Sequence, residues 1–175
     1  MRTRDSESLD SADLVMDVGG EYEPARMRFD HHQHTYQGLL SSAGMVLEWL
    51  LGRERVSPEL YHELRAQLVA YVDDVDNGRV APIFGVPCFP SIVGSYNLGC
   101  KTAEDFHEAF LRAGLMAEGC VQGIAAGVAE AEATSAVVCE AMAEAERLGR
   151  NYIVLEQYVK WKKAYFERGG KTHQT

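Results

Sequence analysis

Apolar positions along the chain fall into two short runs, then two helical stripes, then one long helical tract. "ADLVMDVGG" (12–20) places Leu14, Val15 and Met16 together before Asp17 and a Gly19-Gly20 turn, the pattern of a buried strand that stops abruptly. "ARMRF" (25–29) alternates Met27 and Phe29 with Arg26 and Arg28, which predicts a second strand ending at Asp30. "LLSSAGMVLEWLLG" (39–52) fits a helix capped by Ser41 or Ser42, with Met45, Trp49 and Leu50 inward and Gly52 at the C′ position. "SPELYHELRAQLVAYVDDVDNG" (57–78) is a clearer helix: Ser57 caps it, Pro58 takes the first turn, and Leu60, Leu64, Leu68, Val72 and Val75 form the stripe.

Residues 79–100 hold three of the five prolines and predict an irregular connection with one short strand. "TAED" (102–105) matches a capping box and opens a helix running to about Leu148. Gly119, Gly123 and Gly127 recur within it at four-residue spacing, which suggests a helix–helix contact or a kink. "NYIVLEQYV" (151–159) predicts a late strand, and "ERGGKTHQT" a fraying polar tail.

The totals narrow the function classes. One ordinary domain fits in 175 residues, and a hydrophobic fraction of 46% with 25% charged residues is that of a soluble protein. A net charge of −9 argues against a duplex-DNA binder with a broad basic surface, while leaving room for a nucleotide or a short single strand. The four cysteines, Cys88, Cys100, Cys120 and Cys139, show no metal or disulfide spacing and read as free thiols. The polar start "MRTRDSESLDSAD" has no signal-peptide pattern and no apolar run is long enough for a membrane span, so a cytoplasmic location is expected.

Candidate chemistry lies where the two strands end. If both belong to one open parallel sheet, Asp17 and Asp30 face a single crevice beyond the strand ends. His31 and His32 follow directly, and "VDDVDNG" puts Asp73 and Asp76 on one helical face. Carboxylate oxygens with imidazole nitrogens suit Mn2+, with Mg2+, Co2+, Fe2+ or Zn2+ as alternatives. Two such ions held near 4 Å would stabilise a phosphoryl transition state. Each feature has a plain structural reading: a solvated His-His loop, turn chemistry at Asp17, an acidic helix end on the surface. Acids at a helix C-terminus oppose the helix dipole, however, and a coordinated cation would account for them.

"RTRD", "DVGGEYEPARMRFDHHQ", "SSAG" and "VDDVDNG", in this order over residues 2–78, resemble the melanocyte-proliferation-gene exonuclease family of the Asp-His-His (DHH) phosphoesterase superfamily. A looser likeness extends through "EDFHEAF" to "YIVLEQYVKW". The resemblance implies an α/β fold, a three-layer parallel sheet flanked by helices, with a dinuclear manganese site. It divides the chain into a partial metal-binding domain (1–100), a long helical connection (101–150) and the start of a substrate-side domain (151–175). It also implies metal ligands at Asp17, Asp30 and His31 and at Asp73 or Asp76, catalytic roles for Asp30 and His32, and substrate contacts from Gln33, Ser41, Ser42 and Arg4. Arg2 and Asp5 share the "RTRD" match.

The implied activity is metal-dependent, exonuclease-like hydrolysis of phosphodiester bonds in short nucleic acids or nucleotides. Pyrophosphate hydrolysis is an alternative within the superfamily, and a non-catalytic binding module an alternative outside it. The sequence departs from the family pattern in four places. It shows no "HNGxFHxDE"-like first motif, the 33–41 loop is short, and Lys160-Trp161 stands where "PW" is usual. Most of the family's C-terminal substrate-binding portion is also expected to be missing after the truncated start at 151–175. From the first departure, weak or absent hydrolysis is expected from this chain alone, as are an exposed strand edge and self-association into a homo-oligomer.

Overall fold

A computed structural model describes residues 4–83 and 87–171. Arg2, Phe84 to Val86 and the end of the C-terminal tail (172–175) lie outside the described residues. The chain packs as two compact units, 1–124 and 125–175.

The first unit opens with helix α1 (Ser6–Asp10), capped by Asp5, whose carboxylate accepts from the Ser8 backbone N–H at 2.9 Å and the Ser8 hydroxyl at 2.7 Å. These bonds hold the Asp5 carboxyl below its ordinary range. Three two-residue strands follow: β1 (Val15–Met16), β2 (Tyr22–Glu23) and β3 (Arg28–Phe29), in the order β1-β3-β2. β1 runs parallel to β3, with Val15 opposite Arg28 and Met16 opposite Phe29; β2 runs antiparallel to β3. The structure is therefore a mixed helix-and-sheet fold, and its sheet is mixed where an all-parallel one was expected. The reason is local. The chain turns at Gly19-Gly20, and β2 comes back directly along the far edge of β3 instead of crossing over.

The second strand also departs from simple alternation. Pro24–Arg26 form a 3-10 turn and Met27 adopts a left-handed conformation at φ 58°, so only Arg28 and Phe29 pair in the sheet, and both are buried. The Arg28 guanidinium donates to the carbonyls of Leu9 and Arg26, each at 3.0 Å, and so joins the Ala12 N–H on the Leu9 carbonyl near the end of α1.

Helix α2 (Ser42–Gly52) covers the sheet, burying Met45 and Leu47; Trp49 meets Phe29 edge-on with ring centroids 6.0 Å apart. Gly52 is the last helical residue rather than the one beyond it, and Arg53 caps the helix. Next come α3 (Pro58–Leu64), a π-helical turn (Arg65–Val69) and α4 (Ala70–Asp76) in one continuous rod. Ser57 caps it as anticipated, accepting from the Leu60 N–H at 3.1 Å. The π turn was not foreseen, because it inserts one residue without breaking the apolar stripe.

Residues 79–100 contain a short helix, α5 (Phe89–Ser95), and no strand among the described residues. Helix α6 (Ala103–Arg147) starts at the anticipated capping box: the Asp105 N–H donates to the Thr102 hydroxyl at 3.1 Å, and the Asp105 carboxylate accepts from the Lys101 and Thr102 N–H groups. It runs through Gly119, Gly123 and Gly127 without interruption, and a Cβ placed at any of them would meet nothing within 4 Å. The four-residue glycine spacing therefore marks no close contact among the described residues. No helix there is long and apolar enough to cross a membrane.

In the second unit Val138, Ala141 and Ala145 of α6 and Ala164 of α7 (Trp161–Glu167) are buried. The expected late strand over 151–159 is irregular chain instead. Among the described residues no neighbouring strand edge exists there to complete a ladder, and Ile153 and Leu155 are half-buried instead.

Candidate metal centre

The parallel register of β1 and β3 sets the site. Met16 lies opposite Phe29, so the next residues, Asp17 and Asp30, emerge together at the same end of the sheet. The Asp17 N–H still donates to the Phe29 carbonyl at 3.0 Å, whereas Asp17 itself turns left-handed at φ 63°. Such a conformation costs a non-glycine residue energy, and it leaves the carboxylate more than half exposed.

Asp30 is buried and acts as an acceptor. One carboxylate oxygen takes the Gly20 N–H at 2.7 Å; the other takes the His32 N–H at 3.1 Å and lies 2.6 Å from His32 Nδ1. Gly20 can deliver its N–H because Gly19 and Gly20 both take positive φ, 97° and 70°, which is the physical reason for the glycine pair. Burial pushes the Asp30 carboxyl up, but the His32 hydrogen bond, the two backbone N–H groups and the His32 charge together outweigh it and hold the group below its ordinary range. The same Asp30 hydrogen bond, against a smaller opposing effect of burial, raises the His32 imidazole; the charges of Asp30, Asp17 and Asp76 add to the rise.

His31 is buried at the side chain and is held differently. Asn77, just past α4, donates its amide N–H to the carbonyls of Asp73 at 2.9 Å and Leu39 at 3.3 Å. That fixes the amide oxygen toward His31 Nδ1, 3.2 Å away, so Nδ1 carries the hydrogen and Nε2 the lone pair. Nε2 lies 3.1 Å from an Asp76 oxygen and 3.6 Å from an Asp17 oxygen, yet it is buried and forms no hydrogen bond. A lone pair aimed between two carboxylates is repulsive unless a proton or a metal cation sits among them. One imidazole nitrogen with carboxylate oxygens is a donor set for a borderline-hard divalent ion. Ligand atoms of Asp17, His31 and His32 come within 4.8 Å of one another. The residues present therefore fit a divalent metal.

The two acids left open by the sequence sit in different surroundings. Asp76 is at the site, with its carboxylate partly exposed. Asp73 is fully buried in the helix packing: one oxygen accepts the Ser41 N–H at 2.9 Å and the Ser41 hydroxyl at 2.7 Å, the other accepts from Arg65 at 2.8 Å. The π turn explains the Arg65 contact. Across one inserted residue, positions 65 and 73 are spaced like residues about seven apart, close to two helical turns, and so share a face. Gly44 makes room: a Cβ there would stand 2.5 Å from an Asp73 oxygen.

Among the substrate-contact candidates, Ser41 gives its hydroxyl to Asp73, while the Ser42 hydroxyl and the Gln33 amide oxygen are buried without a hydrogen-bond partner. Arg4 lines a cleft of about 750 Å³ together with Ser8, the β1 segment, Asp17 and Phe110. Sequence reasoning missed Asn77, Arg65 and Gly44. The first had a usable signal, its place directly after Asp76 in "VDDVDNG"; the other two depend on packing that only the fold reveals.

A profile of the MYG1_exonuc family, described as an uncharacterised protein family (UPF0160), matches residues 1–174. The MYG1 protein of Chlamydia muridarum is 47% identical over 97 residues, 55% of this chain and 34% of that one. The MYG1 protein of Chlamydia trachomatis is 32% identical over 181 residues, covering 99% of this chain and 58% of its own length. Human MYG1 exonuclease is 40% identical over 102 residues, 45% of this chain and 27% of that protein. The chain thus spans between about a quarter and three fifths of the length of these relatives. No solved structure matches it. On the profile match over nearly its whole length, the chain is a member of the MYG1 exonuclease family.

Proposed function

We propose that this chain carries a metal-dependent phosphoesterase centre on a DHH-type α/β domain, acting on phosphodiester bonds of nucleotides or short single-stranded nucleic acids. The carrying observation is the His31 imidazole, whose Nδ1 is committed to Asn77 and whose unpartnered Nε2 is aimed between Asp17 and Asp76. The exonuclease name borne by the human relative supports a nucleic-acid substrate.

In this reading Asp17, His31 and Asp76 hold the cation, for which Mn2+ suits the mixed oxygen and nitrogen donors. A bound divalent ion supplies positive charge beside the phosphate and makes water more acidic. Asp30 orients His32 and favours its protonated form, which can donate to a phosphate oxygen or to a leaving oxygen. The unpartnered Ser42 hydroxyl, at the N-terminal turn of α2, is a further donor for a phosphate. Asp73 supports the centre from behind by fixing Ser41 against α4.

The test is Mn2+-dependent release of nucleotides from a short single-stranded oligonucleotide. The proposal predicts cleavage above the metal-free background, however slow, that His31→Ala returns to background. Cleavage unchanged in chelator, or in His31→Ala, contradicts it.

A further inference from the structure

The second unit carries a feature the metal centre does not use. Asn151, Tyr152, Trp161, Tyr165, Phe166 and Lys171 line a cavity of about 520 Å³, together with the half-buried Ile153 and Leu155. Its walls are aromatic faces set at angles: Trp161 and Tyr165 meet at 79° with centroids 5.7 Å apart, and Tyr165 and Phe166 at 72° and 5.4 Å. The wall is braced. Gly170 lies so close over the Tyr165 ring that a Cβ there would stand 2.3 Å from it, and the Tyr165 hydroxyl donates to the Lys171 carbonyl at 3.3 Å. Gly169 makes that return possible at φ 82°.

The surrounding charge is opposite to that of the chain. Segment 149–171 has six cations, Arg150, Lys160, Lys162, Lys163, Arg168 and Lys171, against two acids, Glu156 and Glu167, in a chain whose net charge is −9. Lys160 pairs with Glu130 and Lys163 with Glu167, but Lys162 and Lys171 form no ion pair among the described residues. Two of the lining rings remain exposed, Tyr152 at 59%, with the Arg150 guanidinium over one face at 5.9 Å, and Phe166 at 46%. An aromatic slot with one uncommitted lysine, Lys171, and the Asn151 side-chain amide in its lining combines the three contacts a nucleotide offers: a base face, a phosphate and a base edge.

We propose that this cavity is a stacking site for a base of single-stranded nucleic acid, with Tyr152 and Phe166 flanking the base, Asn151 at its edge and Lys171 on the adjoining phosphate. The inference rests on the nucleic-acid reading of the metal centre for its occupant, but its test needs no turnover.

A fluorescein-labelled five-nucleotide oligodeoxyadenylate is titrated into the whole chain in chelator and followed by anisotropy, beside an abasic strand of equal length. The base-bearing strand should bind about tenfold or more tightly than the abasic one. The double variant Tyr152→Ala/Phe166→Ala should lose that difference, Lys171→Glu should weaken both strands, and the exposed Leu115→Ala in the first unit should change nothing. Circular dichroism confirms that each variant is folded. Equal affinity for both strands, an undiminished preference in the double variant, or no binding by the folded wild type would each overturn the proposal. Metal-dependent cleavage with pocket-independent binding would sink the stacking site alone, and intact base-dependent binding without any metal response would sink the phosphoesterase reading alone.

Discussion

Substituting Asp73 and Asp76 separately by asparagine distinguishes a packing acid from a site acid. In Asp73→Asn the amide oxygen can still accept from the Ser41 N–H and hydroxyl, but an NH2 group replaces the oxygen that receives Arg65 at 2.8 Å. Donor then faces donor. Breaking a buried charge pair by removing one partner costs about 3–5 kcal/mol, and the Arg65 side chain, 30% exposed, recovers part of that by rehydration. The expected loss is about 2–3 kcal/mol, a large share of a typical total stability of about 5–15 kcal/mol.

With a urea slope of about 2 kcal/mol/M, the unfolding midpoint of the first unit should fall by roughly 1 M. Trp49 fluorescence in a Trp161→Phe background reports that transition alone. Adding Arg65→Met to Asp73→Asn should cost little more, because the guanidinium has already lost its partner. Asp76→Asn, partly exposed and facing a lone pair, should shift the metal-free midpoint by no more than about 0.5 kcal/mol. A midpoint for Asp73→Asn equal to wild type, or a larger loss in Asp76→Asn, would refute the assignment.

Gly44→Ala should destabilise by about 1–3 kcal/mol, since its methyl would press on the Asp73 carboxylate from 2.5 Å; thermal unfolding measures it, and a neutral result would mean that α2 and α4 are not packed this closely. Asn77→Leu should leave the chain folded but lower divalent-cation affinity by about 10- to 100-fold, because His31 loses the acceptor that fixes its tautomer. The Lys101 and Thr102 N–H groups hold the Asp105 carboxyl below its ordinary range, so its contribution to α6 is present above the unfolded carboxyl pKa and is lost as pH falls through the lowered folded value. Wild type should therefore lose helicity at acid pH in a step that Asp105→Ala lacks, read as circular dichroism at 222 nm against pH.

Much of the site was legible because it depends on sequence-local geometry. The Asp17 and Asp30 strand ends, the glycine turn between them and the histidines that follow all lie within 16 residues, and one parallel register brings them together. The Ser57 and Thr102 caps were visible for the same reason: a cap is decided within four residues. What could not be read were features settled by distant packing. The hydroxyl of Ser41, a sequence candidate for binding phosphate, is committed to Asp73, 32 residues away. The short apolar run at 151–159 suits a strand, but a strand needs an edge to pair with, and sequence periodicity does not report one. Antiparallel β2 escaped notice because two exposed residues, Tyr22 and Glu23, carry no periodicity at all.

The central claim is that His31, Asp17 and Asp76 together hold a divalent cation. Equilibrium Mn2+ binding, followed by the loss of the free-ion paramagnetic resonance signal, tests it most directly in wild type and in Asp76→Asn. The account predicts saturable binding of at least one ion per chain, weakened by roughly 10-fold or more in the variant, with the fold intact. Wild-type protein that binds no Mn2+, or an Asp76→Asn variant that binds it as tightly, would contradict the account.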